Sequence, residues 1–402
     1  MATSTSRCRR CKNIDAPHAL RNDPTCRDCF IDYVETKGGR RLGAVARDTR
    51  APGRPGPRRY VAGLSFGPSS TALTQILDKS AKFHSSKKAS PAFEPLIVHI
   101  DTDLSRAPGQ TDTPAQKLLS RYQERFPDIT FECIHLSTIW KTTTLDWSAL
   151  GIEPVISDAQ DGNETLVDGT ERLRTFFHSL PSVTSRTDVL RLFIRHLLLD
   201  VALERSYTAV LLGHSTTALA ALTLAEVANG RGYAVPWQIN DGPFPVCRYP
   251  RQSSTDTPGP EQHYDVKQMP IYYPLREVFK NELATYLDLV PTLRELLPQD
   301  DSNNKAAASV VSHKDLSIAE VMERYFESVE GPYSGIVANV VRTTGKLERM
   351  TSGGFCHMCG MTLDQKGDSR WAGELGDDLD EPSLSQTTTA RLCYGCKRTV
   401  HG

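Results

Sequence analysis

No apolar run in this chain approaches the ~18 residues that a membrane-spanning helix requires, so no such helix is expected. There is no overall excess of charge either. Lys and Arg number 47 against 48 Asp and Glu, a formal net charge of −1. Any attraction to a polyanion must therefore come from a local concentration of one sign. The opening residues Met-Ala-Thr-Ser-Thr-Ser-Arg-Cys lack the apolar core of a secretory leader. The expected setting is therefore cytoplasmic or nuclear, where thiols stay reduced, and the 10 cysteines read as metal ligands rather than disulfide partners. Also missing is a Gly-Lys-Ser/Thr ending after any glycine-rich turn, which excludes a Walker A phosphate loop.

What is present begins with two short thiol pairs. Cys8 and Cys11 are followed by Cys26 and Cys29. Two Cys-x-x-Cys knuckles this close fit a tetrahedral Zn²⁺ held by four thiolates. A module of 1–35 has little core, so the metal would supply most of its folding free energy. The far end repeats the arrangement with Cys356, Cys359, Cys393 and Cys396. Gly354, Gly360 and Gly395 supply the tight turns that bring backbone N–H groups towards sulfur. A second zinc ribbon is expected over 346–402, with the acidic 364–390 stretch as a loop.

Residues 1–60 hold fourteen Lys and Arg against six Asp and Glu. The 36–58 part, rich in Arg, Gly and Pro, reads as a basic linker. Arg9, Arg10, Arg40, Arg41, Arg58 and Arg59 are the candidates for contact with a phosphate backbone.

The core, 59–345, alternates strand and helix patterns. Short apolar runs at 59–65, 95–101, 129–136 and 208–212 read as buried parallel strands. A long apolar stripe between Asp188 and Glu204 reads as a helix. This alternation predicts an α/β fold, a doubly wound parallel sheet. The stretches 249–263 and 299–315 read as insertions. In such a sheet, ligands bind at the strand carboxyl ends. Three features stand there: the turn Ser65-Phe66-Gly67-Pro68-Ser69-Ser70 leading into a helix, Asp101, and Gly213-His214. A strand–turn–helix places N–H groups around an anion. Ser65, Gly67, Ser69 and Ser70 are the candidate cradle, with Asp101 and His214 beside it. Each of these two could equally satisfy a buried backbone group. Cys133 and Cys247 fall outside both knuckle sets. Cys133 reads as a small core hydrophobe, and nothing near Cys247 argues for reactivity.

Taken together, the S-x-G-x-x-S turn, Val98-His99-Ile100-Asp101, Leu212-Gly213-His214-Ser215 and Gly354-Phe355-Cys356-His357-Met358-Cys359-Gly360 with Cys393–Cys396 resemble one group. It is the tRNA 2-thiolation enzymes built on the ATP-pyrophosphatase (adenine nucleotide alpha-hydrolase-like) fold. The second subunit of the eukaryotic wobble-uridine thiolase is the nearest match. The resemblance covers nearly the whole chain apart from the insertions. It implies a heterodimer with a catalytic paralogue and 2-thiolation of wobble uridine in tRNA Lys, Glu and Gln. Sulfur would come from a thiocarboxylated ubiquitin-related modifier.

The departures from the catalytic pattern S-G-G-x-D-S are specific. Phe66 and Ser69 stand where the second glycine and the acid belong. Ser182 and Ser185 stand where a Cys-x-x-Cys precedes the long helix, and hydroxyls are poor ligands for a soft iron–sulfur cluster. They are read as relics of a lost ligand pair or as a helix cap. Thr217 and Ala218 replace a pair of aspartates. The expectation is thus a degenerate active site with no catalytic residue of its own, two zinc sites, and no iron–sulfur cluster. Two alternatives stay open: an independently active ATP-dependent enzyme, and a zinc-ribbon adaptor without RNA binding. In the adaptor, the N-terminal arginines would pair with the acidic 374–381 stretch.

Overall fold

The computed structural model describes residues 7–12, 15–50, 57–87, 93–106, 109–110, 112–152, 164–249, 265–298, 315–350, 354–363 and 392–402. The proposed insertions at 249–263 and 299–315 and the acidic 364–390 loop lie almost wholly outside these residues. So does the 374–381 stretch of the adaptor alternative.

Five parallel strands form the central sheet: β3 (Arg58–Gly63), β4 (Phe93–Asp101), β5 (Thr130–His135), β6 (Ala209–Leu211) and β9 (Ile271–Tyr272), in the order β5-β4-β3-β6-β9. Chain order reverses beside β3, the switch point expected of a doubly wound sheet. Two short antiparallel pairs lie outside it: β1 (His18–Leu20) with β2 (Asp23–Thr25), and β7 (Pro245–Arg248) with β8 (Asp265–Gln268). The sheet has the doubly wound parallel order that the sequence predicts.

Strand side chains alternate between faces, and the two faces make two cores. Tyr60, Ala62, Ile97 and Phe131 pack against helices α1 (Arg27–Asp48), α2 (Pro68–Lys87), α3 (Pro114–Arg125) and α8 (Lys280–Leu289). Val61, Leu96, Val98 and Ile100 share the other core with α4 (Glu164–Ser179), α5 (Val183–Glu204), α6 (Thr216–Ala228) and the short α7 (Val235–Ile239). The N-terminal knuckles join the first core through Leu20, Phe30 and Tyr33. The C-terminal knuckles join the second through Cys356, Met358, Cys359, Met361 and Cys396. One cysteine module therefore sits on each side of the sheet.

The basic linker expected over 36–58 needs correction. Helix α1 runs unbroken to Asp48. Phe30, Val34, Gly38, Leu42 and Val45 are buried at helical spacing. Gly38 does not break the helix because it lies at the crossing with α2. A Cβ there would meet Ile76 Cδ1 at 2.7 Å. The glycine reads as flexibility in sequence and acts as a close-approach point in the fold.

The chain from Ile318 to Thr344 forms a kinked helix whose two segments meet at Tyr333 (φ −137°, ψ 47°), immediately after Pro332. The proline removes a backbone donor, and the residue after it leaves helical geometry. The kinked helix packs along α6 through Phe326, Val337 and Val341.

Candidate metal centres and the closed turn

The first centre is assembled by a loop and a helix start. Cys8 and Cys11 lie on a turn closed by Lys12 N–H donating to the Cys8 carbonyl at 2.8 Å, with Lys12 at φ +64°. Cys26 is the N-cap of α1 and Cys29 lies in its first turn. The second centre repeats this plan. Gly360 N–H donates to the Cys356 carbonyl at 2.8 Å, with Gly360 at φ +70°. Cys393 is the N-cap of the C-terminal helix Tyr394–His401. In each set the four sulfurs lie within 4.8 Å of one another. Both helix N-termini present a positive dipole end to the thiols, which favours thiolate.

The donor sets fit a divalent soft-to-borderline cation. Four sulfurs this close cannot all ionise without a positive charge between them. The thiols accordingly split. Cys8 is held down at about 6, first by the Cys11 backbone N–H. Cys29 is pushed up to about 12, first by burial and then by its sulfur neighbours. At the other centre burial opposes ionisation of Cys356, yet hydrogen bonds from the other three thiols bring it well below its ordinary value. Cys393 N–H also donates to Cys356 Sγ at 3.3 Å, as a metal knuckle requires.

The C-terminal knuckle is clasped by the core. Three consecutive carbonyls each accept a hydrogen bond: His357 from Asp146 N–H at 3.1 Å, Met358 from His196 Nε2 at 2.8 Å, and Cys359 from Arg195 Nη2 at 3.0 Å. His357 Nδ1 also bonds the Asp146 carboxylate at 2.8 Å. His196 is buried and its other nitrogen accepts from Thr144 Oγ1 at 3.0 Å. Burial, reinforced by the Arg195 charge, lowers its pKa to about 4. It is neutral, with Nε2 carrying the proton that Met358 receives. Sequence reasoning missed His196, Arg195 and Asp146. The available signal was two polar residues interrupting the apolar stripe of α5.

The strand-end turn has a different character. Ser70 Oγ donates to the Gly67 carbonyl at 3.1 Å and accepts from Ser65 N–H at 3.2 Å. Ser65 Oγ lies 3.2 Å from the same hydroxyl. That Ser65 N–H is therefore engaged within the turn. Pro68, the first residue of α2, has no N–H to offer. Phe66 adopts φ +57° and is only 6% exposed. Its ring packs on His99 and Tyr122, with centroids at 4.1 and 5.5 Å. A left-handed backbone is the one a glycine adopts without strain, so Phe66 holds a glycine-like conformation while its ring fills the space beside it. Gly213, at the end of β6, closes on the same turn. A Cβ there would approach Ser70 Cα at 3.1 Å and the Ser69 carbonyl at 3.2 Å.

The remaining candidates fall as follows. Asp101 Oδ1 accepts from Asp103 N–H at 3.1 Å. His214, half-buried, meets the Tyr273 ring edge-on at 5.3 Å. Burial, then Arg191, lowers its pKa to about 4. Ser182 is the N-cap of α5, accepting from Ser185 N–H at 3.0 Å, and the two hydroxyls lie 2.9 Å apart. Thr217 bonds Glu330 of the kinked helix and accepts from Lys280 N–H at 3.0 Å. Glu330 also accepts from Asn281 N–H at 2.8 Å, so these positions now cap α8. Burial raises Cys133 to about 11 and Cys247 to about 12, marking both as unreactive thiols.

The candidate arginines differ in their surroundings. Arg41 is paired with Asp241 and with Glu277 at 3.7 Å. Arg59 lies over the Tyr207 ring at 4.2 Å and donates to the Arg205 carbonyl. Arg9 pairs with Asp23 at 2.7 Å on the surface, and Arg10 lies over Tyr33 at 4.9 Å. Arg40 is exposed on α1, and Arg47 and Arg50 are exposed at and just beyond its end. Arg58 is half-buried at the start of β3. Among the described residues no helix is long and apolar enough to cross a membrane.

A family profile described as Cytoplasmic tRNA 2-thiolation protein 2 matches residues 317–398, spanning the kinked helix and the second centre. A curated protein of that name from Phaeosphaeria nodorum is 34% identical over 98% of this chain and 94% of its own length. One from Pyrenophora tritici-repentis is 32% identical over 99% and 95%. Among solved structures, the U34-tRNA thiolase NcsA from Methanococcus maripaludis with its [4Fe-4S] cluster aligns at 13% identity and TM-score 0.49, covering 92% of this chain and 97% of that one.

Proposed function

The chain belongs to the family of cytoplasmic tRNA 2-thiolation protein 2, and from that premise we propose that it is the non-catalytic subunit of a cytoplasmic heterodimer that thiolates wobble uridine in tRNA Lys, Glu and Gln. The observation that carries the non-catalytic part is the turn after β3. Its Ser65 N–H is taken by Ser70, its first helical residue is proline, and its glycine position holds a buried phenylalanine. ATP activation is then the task of the catalytic paralogue, which also receives sulfur from the thiocarboxylated ubiquitin-related modifier.

In this reading the two four-cysteine sets, Cys8, Cys11, Cys26 and Cys29 with Cys356, Cys359, Cys393 and Cys396, hold zinc. The metal would supply folding free energy and fix two helix starts. Exposed Arg40, with Arg47 and Arg50 added to the earlier candidates, forms the face that meets the tRNA backbone. Arg9, Arg10 and Arg58 remain further candidates for that contact. Arg41 and Arg59 serve the fold through their internal partners.

Reconstitution tests the proposal. The purified chain with ATP and tRNA should release no pyrophosphate above background. The paralogue, sulfur carrier and tRNA should yield 2-thiouridine only when this chain is added. Pyrophosphate release by the chain alone would favour the independent-enzyme alternative. Full-rate thiolation by the paralogue alone would remove the subunit role.

A further inference from the structure

Behind the C-terminal centre lies a buried ionic cluster that the proposed function does not use. Asp188 and Arg191 come from α5, Glu226 from α6, and Arg231 follows α6. Arg231 bonds Asp188 and, through Nε, Glu226 at 2.9 Å; its side chain is 1% exposed. Arg191 bonds Asp188 at 3.1 Å and also Glu226. Gln238 bridges Glu226 to Arg195, accepting from Arg195 Nη1 at 2.7 Å.

Both C-terminal cysteine knuckles rest on this cluster. Arg195 donates to the Cys359 carbonyl, and Thr399 of the C-terminal helix donates to Asp188 at 3.1 Å. The Arg231 side chain runs under Gly395, where a Cβ would meet its Cγ at 2.6 Å. Two carboxylates against three guanidiniums leave one uncompensated positive charge. Burying such a charge is expensive unless an anion lies close by. Arg195 Nε and Arg231 Nη1 are moreover buried without a hydrogen-bond partner. The anion that the chemistry supplies is the centre itself. Four thiolates around a divalent cation carry two net negative charges.

We propose that Arg195 and Arg231 are outer-shell positioning residues of the C-terminal four-cysteine centre, whose positive charge offsets the metal-bound sulfurs and slows metal loss. This rests on that centre holding a divalent metal, as in the proposed function, and not on tRNA thiolation. Among the described residues the N-terminal centre has no equivalent. Its nearby arginines are engaged elsewhere: Arg9 pairs with Asp23, Arg10 lies over Tyr33, Arg21 pairs with Glu282, and Arg27 donates to the Leu289 carbonyl.

The test uses the full chain loaded with Zn²⁺ and a chromogenic chelator. Two release phases are assigned by the Cys8→Ser/Cys11→Ser variant, which keeps only the C-terminal one. Arg195→Gln retains an N–H donor without the charge. It should accelerate the C-terminal phase by roughly 10–100-fold and leave the N-terminal phase unchanged. Arg195→Lys restores the charge and should return release close to the wild-type rate. In the Co²⁺-loaded protein, the sulfur-to-metal charge-transfer band should move in Arg195→Gln and not in Arg195→Lys. Arg231→Gln should accelerate release similarly, and if it fails to fold the Arg195 pair decides alone. Release within twofold of wild type in Arg195→Gln, or equal acceleration in Arg195→Lys, overturns the proposal. Failure of the wild-type chain to hold two equivalents of metal would overturn its premise instead.

Discussion

Phe66 gives the sharpest test of the closed turn. At φ +57° a residue with a Cβ is strained by about 1–2 kcal/mol. The ring offsets this by being 94% buried against His99 and Tyr122. Truncating a buried phenylalanine to alanine costs about 3–5 kcal/mol, and alanine keeps the strain. Glycine loses the same packing but relieves the strain, so Phe66→Gly should cost about 2–3 kcal/mol. The expected order is therefore Phe66, then glycine, then alanine, the reverse of the usual ranking of alanine above glycine. Urea unfolding of the three proteins at fixed metal loading measures it. Alanine matching or exceeding glycine would refute the argument that the residue keeps a glycine conformation. Neither variant should gain tight ATP binding, because Pro68 and the Ser65–Ser70 bond remain.

Other outcomes follow from the same geometry. Ser70→Ala removes two hydrogen bonds of the turn and should lower stability by about 1 kcal/mol. It should also raise pyrophosphate affinity measurably by calorimetry, since Ser65 N–H is released. Combined Arg40→Ala, Arg47→Ala and Arg50→Ala should weaken tRNA binding and lower the salt slope by about two to three; Arg41→Ala should lower stability with little change in that slope. The His196 pKa is depressed to about 4 by burial. The unfolded chain therefore binds the extra proton between pH ~6.5 and ~4. Stability from this group is present above pH ~6.5 and lost as pH falls towards 4, up to about 3 kcal/mol. His196→Gln should flatten that limb in denaturant titrations. Cys356→Ser should abolish amide protection in the C-terminal helix and loosen α5 in hydrogen exchange, leaving α1 protected.

The sheet was legible because buried parallel strands are short, continuous apolar runs and each ends at a turn signal. The cysteine sets were legible because metal spacing is local along the chain. Helix α1 was not, because Gly38 and Gly39 look like breakers until α2 is seen passing within contact of Gly38. The arginines were read as one basic patch. Which of them are free depends on Asp241, Glu277 and Tyr207, residues roughly 150 to 240 positions away in the chain. The Asp188–Glu226–Arg231 cluster was hidden for the same reason. Its members sit singly in apolar stripes and acquire meaning only as neighbours.

The start of α1 at Cys26 has a consequence for RNA. That helix has no side-chain hydrogen bond at its N-cap, so a metal held by Cys26 and Cys29 would add a fastening at its first turn, beside the bonds of Arg27 to the Leu289 carbonyl. The same helix ends beside Arg47 and Arg50 and carries Arg40 along its length. Loss or oxidation of the four N-terminal thiols would unfasten the helix at one end and disperse its charges at the other. If this face grips tRNA, zinc supply and thiol redox state become inputs to tRNA affinity, transmitted along 22 residues without any change at the sheet.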